Sequence, residues 1–70
     1  MIDIAIDTGG TFTDYSSVGS LNNQKEDKIF IKNPTDGIIE GLNELASSWG
    51  TDLETLLANT NQISHGTTLA

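Results

Sequence analysis

The chain has 70 residues, of which 36% are apolar, with one Trp, one Tyr and two Phe, so it can build at most one thin hydrophobic core. Cysteine is absent, which excludes a disulfide framework and a thiolate metal site. A formal net charge of −7 argues against binding to nucleic acid or to an anionic membrane, both of which need a basic surface. Neither a signal-peptide pattern nor an apolar stretch of membrane-spanning length is visible, so we expect a cytoplasmic protein.

The first half of the chain predicts three strands in an antiparallel meander. Three isoleucines alternate with other residues over positions 2–7, which is the period of a strand with one buried face. Residues 11–18 alternate again, and the bend between the two runs is short enough to require antiparallel pairing. A polar turn over 19–24 leads into a third strand over 25–32.

A helix is predicted after Pro34, with Asn33 or Thr35 as its N-cap. Gly50 is expected to end it as the C′ residue. Six apolar residues fall at helical spacing and predict one stripe facing the sheet: Ile38, Ile39, Leu42, Leu45, Ala46 and Trp49.

A short second helix is predicted over residues 52–58, with Thr51 and Glu54 as a capping box. Its three leucines, at positions 53, 56 and 57, are expected to face inward. Residues 62–64 look like the start of a fourth strand that leads into a polar loop at 65–68. The prediction is therefore an α/β fold in which a three-stranded antiparallel meander is followed by helices and the start of a fourth strand. Because another element is about to begin where the sequence stops, we expect residues 1–70 to be an incomplete amino-terminal fragment.

The bend between the first two strands predicts a phosphate site. Gly9 and Gly10 can take positive φ and let a ligand approach the backbone closely. Consecutive N–H groups in such a bend form a concavity that binds anions. Asp7 and Asp14 would repel a bare phosphate, so we expect a divalent cation such as Mg²⁺ between them. The simpler interpretation of Asp7 is a turn residue that hydrogen-bonds the backbone.

Hydroxyl groups next to the bend are candidates for binding phosphate oxygens. Thr11 and Thr13 are predicted to share one face of the second strand, because alternate residues of a strand point the same way. Asp14 then points away from Thr13. Threonine is also simply a good strand former, an interpretation that suits Thr13 better than Thr11.

Other known loops fit the chain less well. The sequence lacks the Gly-x-x-x-x-Gly-Lys-Ser/Thr loop and the Gly-x-Gly-x-x-Gly turn that opens a helix. Residues 7–9 read Asp-Thr-Gly, like the active-site triplet of aspartic proteases. That family usually has Ser, Thr or Ala next, where this chain has Gly10, and it needs a second copy of the triplet from another lobe or subunit. The helix-rich second half of this chain also does not suit the small all-β dimer form of that family. Any phosphate site in this chain would therefore lie in the bend between two strands of a β-hairpin.

A second polar cluster reads His65-Gly66-Thr67-Thr68. His65 is the one histidine of the chain. Beside a glycine and two hydroxyls it can position a substrate or a phosphate, or transfer a proton. A lone histidine in a polar loop is, however, more often structural.

Together the two clusters resemble the amino-terminal region of the hydantoinase/oxoprolinase family. In that family an Asp-x-Gly-Gly-Thr-Phe-Thr-Asp stretch opens the chain and His-Gly-Thr-Thr follows downstream, matched here by residues 7–14 and 65–68. Residues 32–34 and the following helix resemble the family's next segment, which typically reads Lys-x-x-x-Pro. The first motif alone is typical of the wider actin-like, sugar-kinase and Hsp70 ATPase superfamily. The resemblance covers nearly the whole chain but only the front of much longer proteins.

The resemblance implies a ribonuclease-H-like (actin-like ATPase) fold whose first hairpin binds the phosphates of ATP. Asp7 would be catalytic and would contact Mg²⁺ or its water shell, with Asp14 as the second carboxylate beside the metal. His65 would be the catalytic member of the second cluster. The residues implied to bind the nucleotide are Thr8, Gly9, Gly10, Thr11, Thr13, Gly66, Thr67 and Thr68.

Members of the family use ATP to phosphorylate a carbonyl or enolate oxygen, which activates a lactam or imide for ring opening, or a ketone for carboxylation. The resemblance therefore implies an ATP-dependent amidohydrolase of the hydantoinase or 5-oxoprolinase type, which acts with the remainder of the enzyme or a partner subunit. The alternatives are a subunit of an acetone- or acetophenone-type carboxylase, and a non-catalytic fragment or interaction module. The chain departs from the family pattern because the turn at 19–23 lacks an acidic residue and the other phosphate and adenosine segments are absent. We accordingly expect the isolated chain not to hydrolyse ATP.

Overall fold

The computed structural model describes the backbone of residues 1–21 and 24–67, and the side chains of residues 1–21 and 31–66. Four strands form one sheet in the order β3-β2-β1-β4, and two helices connect β3 to β4. β1 pairs antiparallel with β2, β2 pairs antiparallel with β3, and β4 lies parallel to β1. The predicted α/β class, with its meander, helices and fourth strand, is confirmed. The elements are β1 Ile2–Thr8, β2 Phe12–Leu21, β3 Gln24–Pro34, α1 Ile38–Ser48, α2 Leu53–Ala58 and β4 Thr60–Thr67.

The two faces of the sheet differ in what covers them. Strand alternation buries Ile2, Ile4 and Ile6 of β1 on the face that the helices cover, which we call the helix-side face. The opposite face of β1 carries Asp3 and Asp7, which are exposed, and we call it the open face. One hydrophobic core joins the helix-side face to the helices: Ile2, Ile4, Ile6, Tyr15, Leu21, Leu42, Leu45, Ala46, Trp49 and Leu56.

Tyr15 anchors α1 to the sheet through an unusually close contact with Gly41. Its side chain is fully buried, and its hydroxyl donates to the carbonyl of Ile38 at 3.4 Å. A Cβ at Gly41 would lie 2.3 Å from the Tyr15 Cζ atom, so the residue facing the ring has to be glycine. Burial, helped by the negative charge of Glu40, raises the pKa of the Tyr15 hydroxyl.

Gly19 lets β2 continue where a polar turn was predicted. Its φ of +143° and the register shift between Ser17 and Gly19 mark a bulge in the pairing with β3. A Cβ here would lie 2.3 Å from the Met1 carbonyl oxygen. The predicted turn over 19–24 is wrong in its start, because the bulge keeps the strand paired as far as Leu21.

The predicted N-cap of the first helix is wrong, whereas its predicted end is confirmed. The N-cap is Gly37, without a side-chain hydrogen bond, because β3 continues through Pro34 and delays the helix. At the other end Gly50 has φ of +74°, and its N–H donates to the Ser47 carbonyl at 2.9 Å. The N–H of Thr51 donates to the Ala46 carbonyl at 3.0 Å, which completes a Schellman motif.

The second helix forms close to where it was predicted but uses a different cap. Asp52, not Thr51, is the N-cap, and its carboxylate accepts from the Thr55 N–H at 2.8 Å. Hydrogen bonds from Thr55 lower the pKa of the Asp52 carboxyl.

Two helical residues that were predicted to face inward are exposed: Ile39 by 60% and Leu57 by 42%. The helices cover only part of the sheet, so the edges of their apolar stripes reach the surface.

The fourth strand is longer than predicted. It already begins at Thr60, and it includes His65 and Gly66, which were predicted to lie in a loop. Parallel pairing with β1 supplies the backbone hydrogen bonds that keep this polar segment extended. Thr68 lies outside the described residues. No described helix has the length and apolar content needed to cross a bilayer.

Candidate functional site

The bend between β1 and β2 consists of residues 9–11. The N–H of Gly9 donates to the carbonyl of Phe12 at 3.0 Å and closes the hairpin. Neither Gly9 nor Gly10 has positive φ, so the left-handed conformation predicted to be available to them is not used. Glycine still has a role at position 9, where a Cβ would lie 3.0 Å from the Phe12 carbonyl oxygen. Above Gly10 no heavy atom lies within 4 Å of a Cβ position, so the space over the bend is open.

Two backbone amides at the tip of the bend have no hydrogen-bond partner in the part of the chain that the structure describes. Among the described residues, the N–H groups of Gly10 and Thr11 donate to no carbonyl. Both residues are exposed. Neighbouring N–H groups of this kind are typical of anion sites in turns.

Thr35 holds the bend in place from the end of β3. Its N–H donates to the Thr11 carbonyl at 2.9 Å, and its hydroxyl donates to the Gly9 carbonyl at 3.3 Å. The Thr13 hydroxyl donates in turn to Thr35 Oγ1 at 3.3 Å. This role of Thr35 differs from the predicted one, which was to cap the first helix. The one sequence feature that could have indicated this role is a hydroxyl residue directly after Pro34, at the end of the strand that lies beside the hairpin.

Thr11 and Thr13 do not share a face, contrary to the prediction. β2 begins only at Phe12, so Thr11 lies in the bend and is exposed. Thr13 is fully buried on the helix-side face, with its hydroxyl bound to Thr35. Asp14 points to the opposite face, as predicted, because strand neighbours alternate. A direct contact between either threonine and phosphate stays a prediction.

Asp7 and Asp14 lie directly opposite each other on the open face. They are Cα partners across β1 and β2, and Gly66 is the partner of Asp7 on the other side. Two carboxylates in such a pair repel each other unless a cation is near. Lys32 Nζ lies 4.0 Å from Asp14 Oδ1, too far for a hydrogen bond. That oxygen is buried and has no hydrogen-bond partner among the described residues.

The chemistry of this pair fits a hard cation. A hollow of ≈ 380 Å³ opens over Asp7, Asp14 and Gly66. Mg²⁺ is usually held by one or two carboxylates, with waters and phosphate oxygens filling its other positions. Among the side chains of residues 1–21 and 31–66, no group of three or more His, Cys, Asp or Glu is placed to hold a metal. Protein ligands would therefore come from these two carboxylates, and a ligand and water would supply the rest.

The second polar cluster lies beside the first. Thr8 Oγ1 and His65 Nε2 are 2.8 Å apart and hydrogen-bonded. Thr67 is the Cα partner of Thr8 in the parallel pairing of β1 and β4. The fold thus joins both motifs at one end of the sheet. It places Asp7 and Gly66 on the open face, with Thr8 and His65 on the other face.

A family model described as the hydantoinase/oxoprolinase N-terminal region matches residues 3–70 of the chain. That span contains both polar clusters and all six elements of the fold except the first residue of β1. No curated protein and no solved structure matches the chain significantly.

Proposed function

The chain belongs to the hydantoinase/oxoprolinase family, and from that membership we propose that it supplies the phosphate-binding hairpin of an ATP-dependent ring-opening amidohydrolase. The family supports a hydantoinase-type function in general terms. ATP, the contact with its phosphates and the cation go beyond that general function. The observation that supports these additions is the pair of amides at Gly10 and Thr11, which donate to no carbonyl among the described residues and lie directly beyond the Asp7–Asp14 pair.

Each part of the hairpin then has a distinct task. The amides of Gly10 and Thr11 bind phosphate oxygens, and the Thr11 hydroxyl is exposed beside them. Asp7 and Asp14 hold Mg²⁺, which neutralises charge on the phosphates when it is bound. Thr35 keeps the bend rigid, so the amides need little reorganisation when the nucleotide arrives.

The substrate class we propose is a cyclic amide, either a lactam or an imide. Transfer of the γ-phosphoryl group from ATP to the amide oxygen releases ADP and turns that oxygen into a leaving group. A first water can then attack the ring carbon, the carbon–nitrogen bond breaks, and the nitrogen takes up a proton, which leaves an acyl phosphate on the opened chain. A second water hydrolyses the acyl phosphate to the carboxylate and free phosphate. In this scheme the hairpin positions the transferred group and balances its charge, while the remainder of the enzyme binds adenosine and the cyclic amide.

The test is substrate-stimulated ATP hydrolysis by the assembled enzyme that contains this chain, with hydantoin and 5-oxoproline as substrates. Asp7→Asn should lower turnover by roughly 100-fold or more, the usual effect of removing a group that stabilises charge at the reacting phosphate. Asp3→Asn is the matched control, because Asp3 lies on the same strand and face but away from the bend. Equal activity of the two variants, or an enzyme that hydrolyses no ATP with either substrate, would contradict the proposal. Turnover that needs a ketone and bicarbonate instead would reassign the enzyme to the carboxylases.

A further inference from the structure

We propose that His65 is a positioning residue that orients the hydroxyl of Thr8 towards a phosphate oxygen of the nucleotide. In this role His65 does not exchange a proton with the substrate. The inference rests on the proposed function and deepens it, because it assigns a task to the second polar cluster within the same phosphate site.

His65 lies beside Thr8 on the neighbouring strand. Thr8 is the last residue of β1 and directly precedes the bend, and it is half-buried. His65 is an exposed residue of β4, paired through its Cα with Ile6. Thr8 is the next residue after Ile6 on the same face of β1. The 2.8 Å hydrogen bond therefore joins the Thr8 and His65 side chains diagonally across the two parallel strands. The residues are 57 positions apart, so only the β1–β4 pairing brings them together.

The face on which His65 lies argues against direct proton transfer. Asp7 and Asp14 are on the open face, and the hollow beside them is where the cation is proposed to bind. His65 is on the helix-side face, aligned with the buried Ile6. Its Nε2 atom is already hydrogen-bonded to Thr8. Thr8 lies on the same face, but it is the last residue of β1 and directly precedes the bend. An influence of His65 on a phosphate held by the amides of the bend therefore passes through the Thr8 hydroxyl.

The chemistry of the ligand selects the direction of this hydrogen bond. Phosphate oxygens accept hydrogen bonds and cannot donate them, and a threonine hydroxyl has a single proton. When the His65 Nε2–H donates to Thr8 Oγ1, the Thr8 proton is left to be donated to the phosphate. In the reverse direction Thr8 would present only lone pairs to the anion. The bound state should therefore have His65 protonated on Nε2.

Nitrogen-15 spectra of the imidazole test the hydrogen bond directly. In the assembled enzyme labelled at histidine, His65 should show the Nε2-protonated form, and addition of Mg·ATP should increase its population. Thr8→Val removes the acceptor, and the increase should disappear. If Mg·ATP leaves the His65 signals of the wild type unchanged, or shifts them equally in Thr8→Val, the proposal is wrong.

Binding and turnover provide the second readout. His65→Ala should weaken Mg·ATP binding about 5-fold, the effect of one ordinary hydrogen bond. His65→Gln keeps an N–H donor and should restore binding to within about 2-fold. The double variant of Thr8→Val and His65→Ala should bind no more weakly than Thr8→Val alone, since both changes remove the same interaction. Gln62→Ala, an exposed residue of the same strand on the other face, is the control and should bind like the wild type.

The outcomes separate this proposal from the proposed function. A wild-type enzyme that does not bind Mg·ATP contradicts the proposed function itself. Normal binding by the wild type together with additive effects of Thr8→Val and His65→Ala contradicts only the role of His65. Unchanged binding with turnover lowered more than about 100-fold in both His65→Ala and His65→Gln would instead make His65 a catalytic acid or base.

Discussion

Replacing Gly41 by alanine tests how tightly the sheet and α1 are packed. On an exposed helix surface this change would stabilise the protein by about 1 kcal/mol, because glycine is the weaker helix former. Here the new Cβ would lie 2.3 Å from Tyr15 Cζ and 2.4 Å from both Cε1 and the hydroxyl oxygen. Ordinary contacts between carbon atoms are about 3.5–4.0 Å, so ring and helix have to separate by roughly 1 Å.

We expect Gly41→Ala to destabilise the protein by about 1–3 kcal/mol, which is the usual cost of overpacking a well-filled core. The Tyr15 ring cannot turn away cheaply, because it is fully buried and its hydroxyl is bonded to the Ile38 carbonyl. Asp14 directly precedes Tyr15 in β2, so we expect a displaced Tyr15 to shift Asp14 as well. Mg·ATP binding should therefore weaken in the same variant.

Urea unfolding followed by the fluorescence of Trp49, which is buried and is the one tryptophan, measures the change in stability. Ser48→Ala, at an exposed position of α1, is the control and should be neutral or slightly stabilising. In a background of Tyr15→Leu the cost of Gly41→Ala should fall by at least about 1 kcal/mol, because the two residues are in contact. A midpoint for Gly41→Ala that equals or exceeds the wild-type value would refute the packing argument.

Two further predictions concern the hydrogen bonds of Thr35 and Asp52. Thr35→Val keeps the backbone N–H but removes the hydroxyl that donates to the Gly9 carbonyl, so it should weaken Mg·ATP binding several-fold. Thr35→Ser keeps the hydroxyl and should bind like the wild type. Calorimetric titration measures both variants, and equal losses of affinity would contradict the role of the hydroxyl. The pKa of Asp52 is lowered from its ordinary value of 3.8, so its cap stabilises the fold above that pH and the contribution is lost as the pH falls through the folded-state pKa. Asp52→Ala should therefore lower the urea midpoint at neutral pH and reduce its acid dependence, and an unchanged pH profile would show that the cap contributes nothing.

The arrangement of elements was predictable because each signal was local. Alternating isoleucines and a short bend were sufficient to predict the β1–β2 hairpin, and Gly50 was sufficient to predict the end of α1. The errors arose where tertiary contacts override local preference. Residues 65 and 66 looked like a polar loop until the parallel pairing with β1 supplied their partners. In the same way Gly41 carried no signal of its own, because its reason is the ring of Tyr15 on another element.

The candidate site was predictable in its composition but not in its geometry. The motifs indicated Asp7, Asp14 and the bend, and strand alternation correctly separated Asp14 from Thr13. Sequence spacing could not show that Thr8 and His65 touch, since that contact depends on the register between β1 and β4. Nor could it show that Thr35 holds the bend, because a hydroxyl after a proline is equally typical of a helix cap.

The position of β1 in the sheet has a consequence for synthesis on the ribosome. β2 follows β1 directly in the chain, but the other neighbour of β1 in the sheet, β4, is made after both helices. The 57 positions between Thr8 and His65 correspond to roughly 3–11 s of translation at 5–20 residues per second. During that interval one edge of an isoleucine-rich strand has no partner and is open to pairing with other nascent chains. Slow codons between α1 and β4 should therefore increase aggregation of the nascent protein, whereas slow codons after β4 should not.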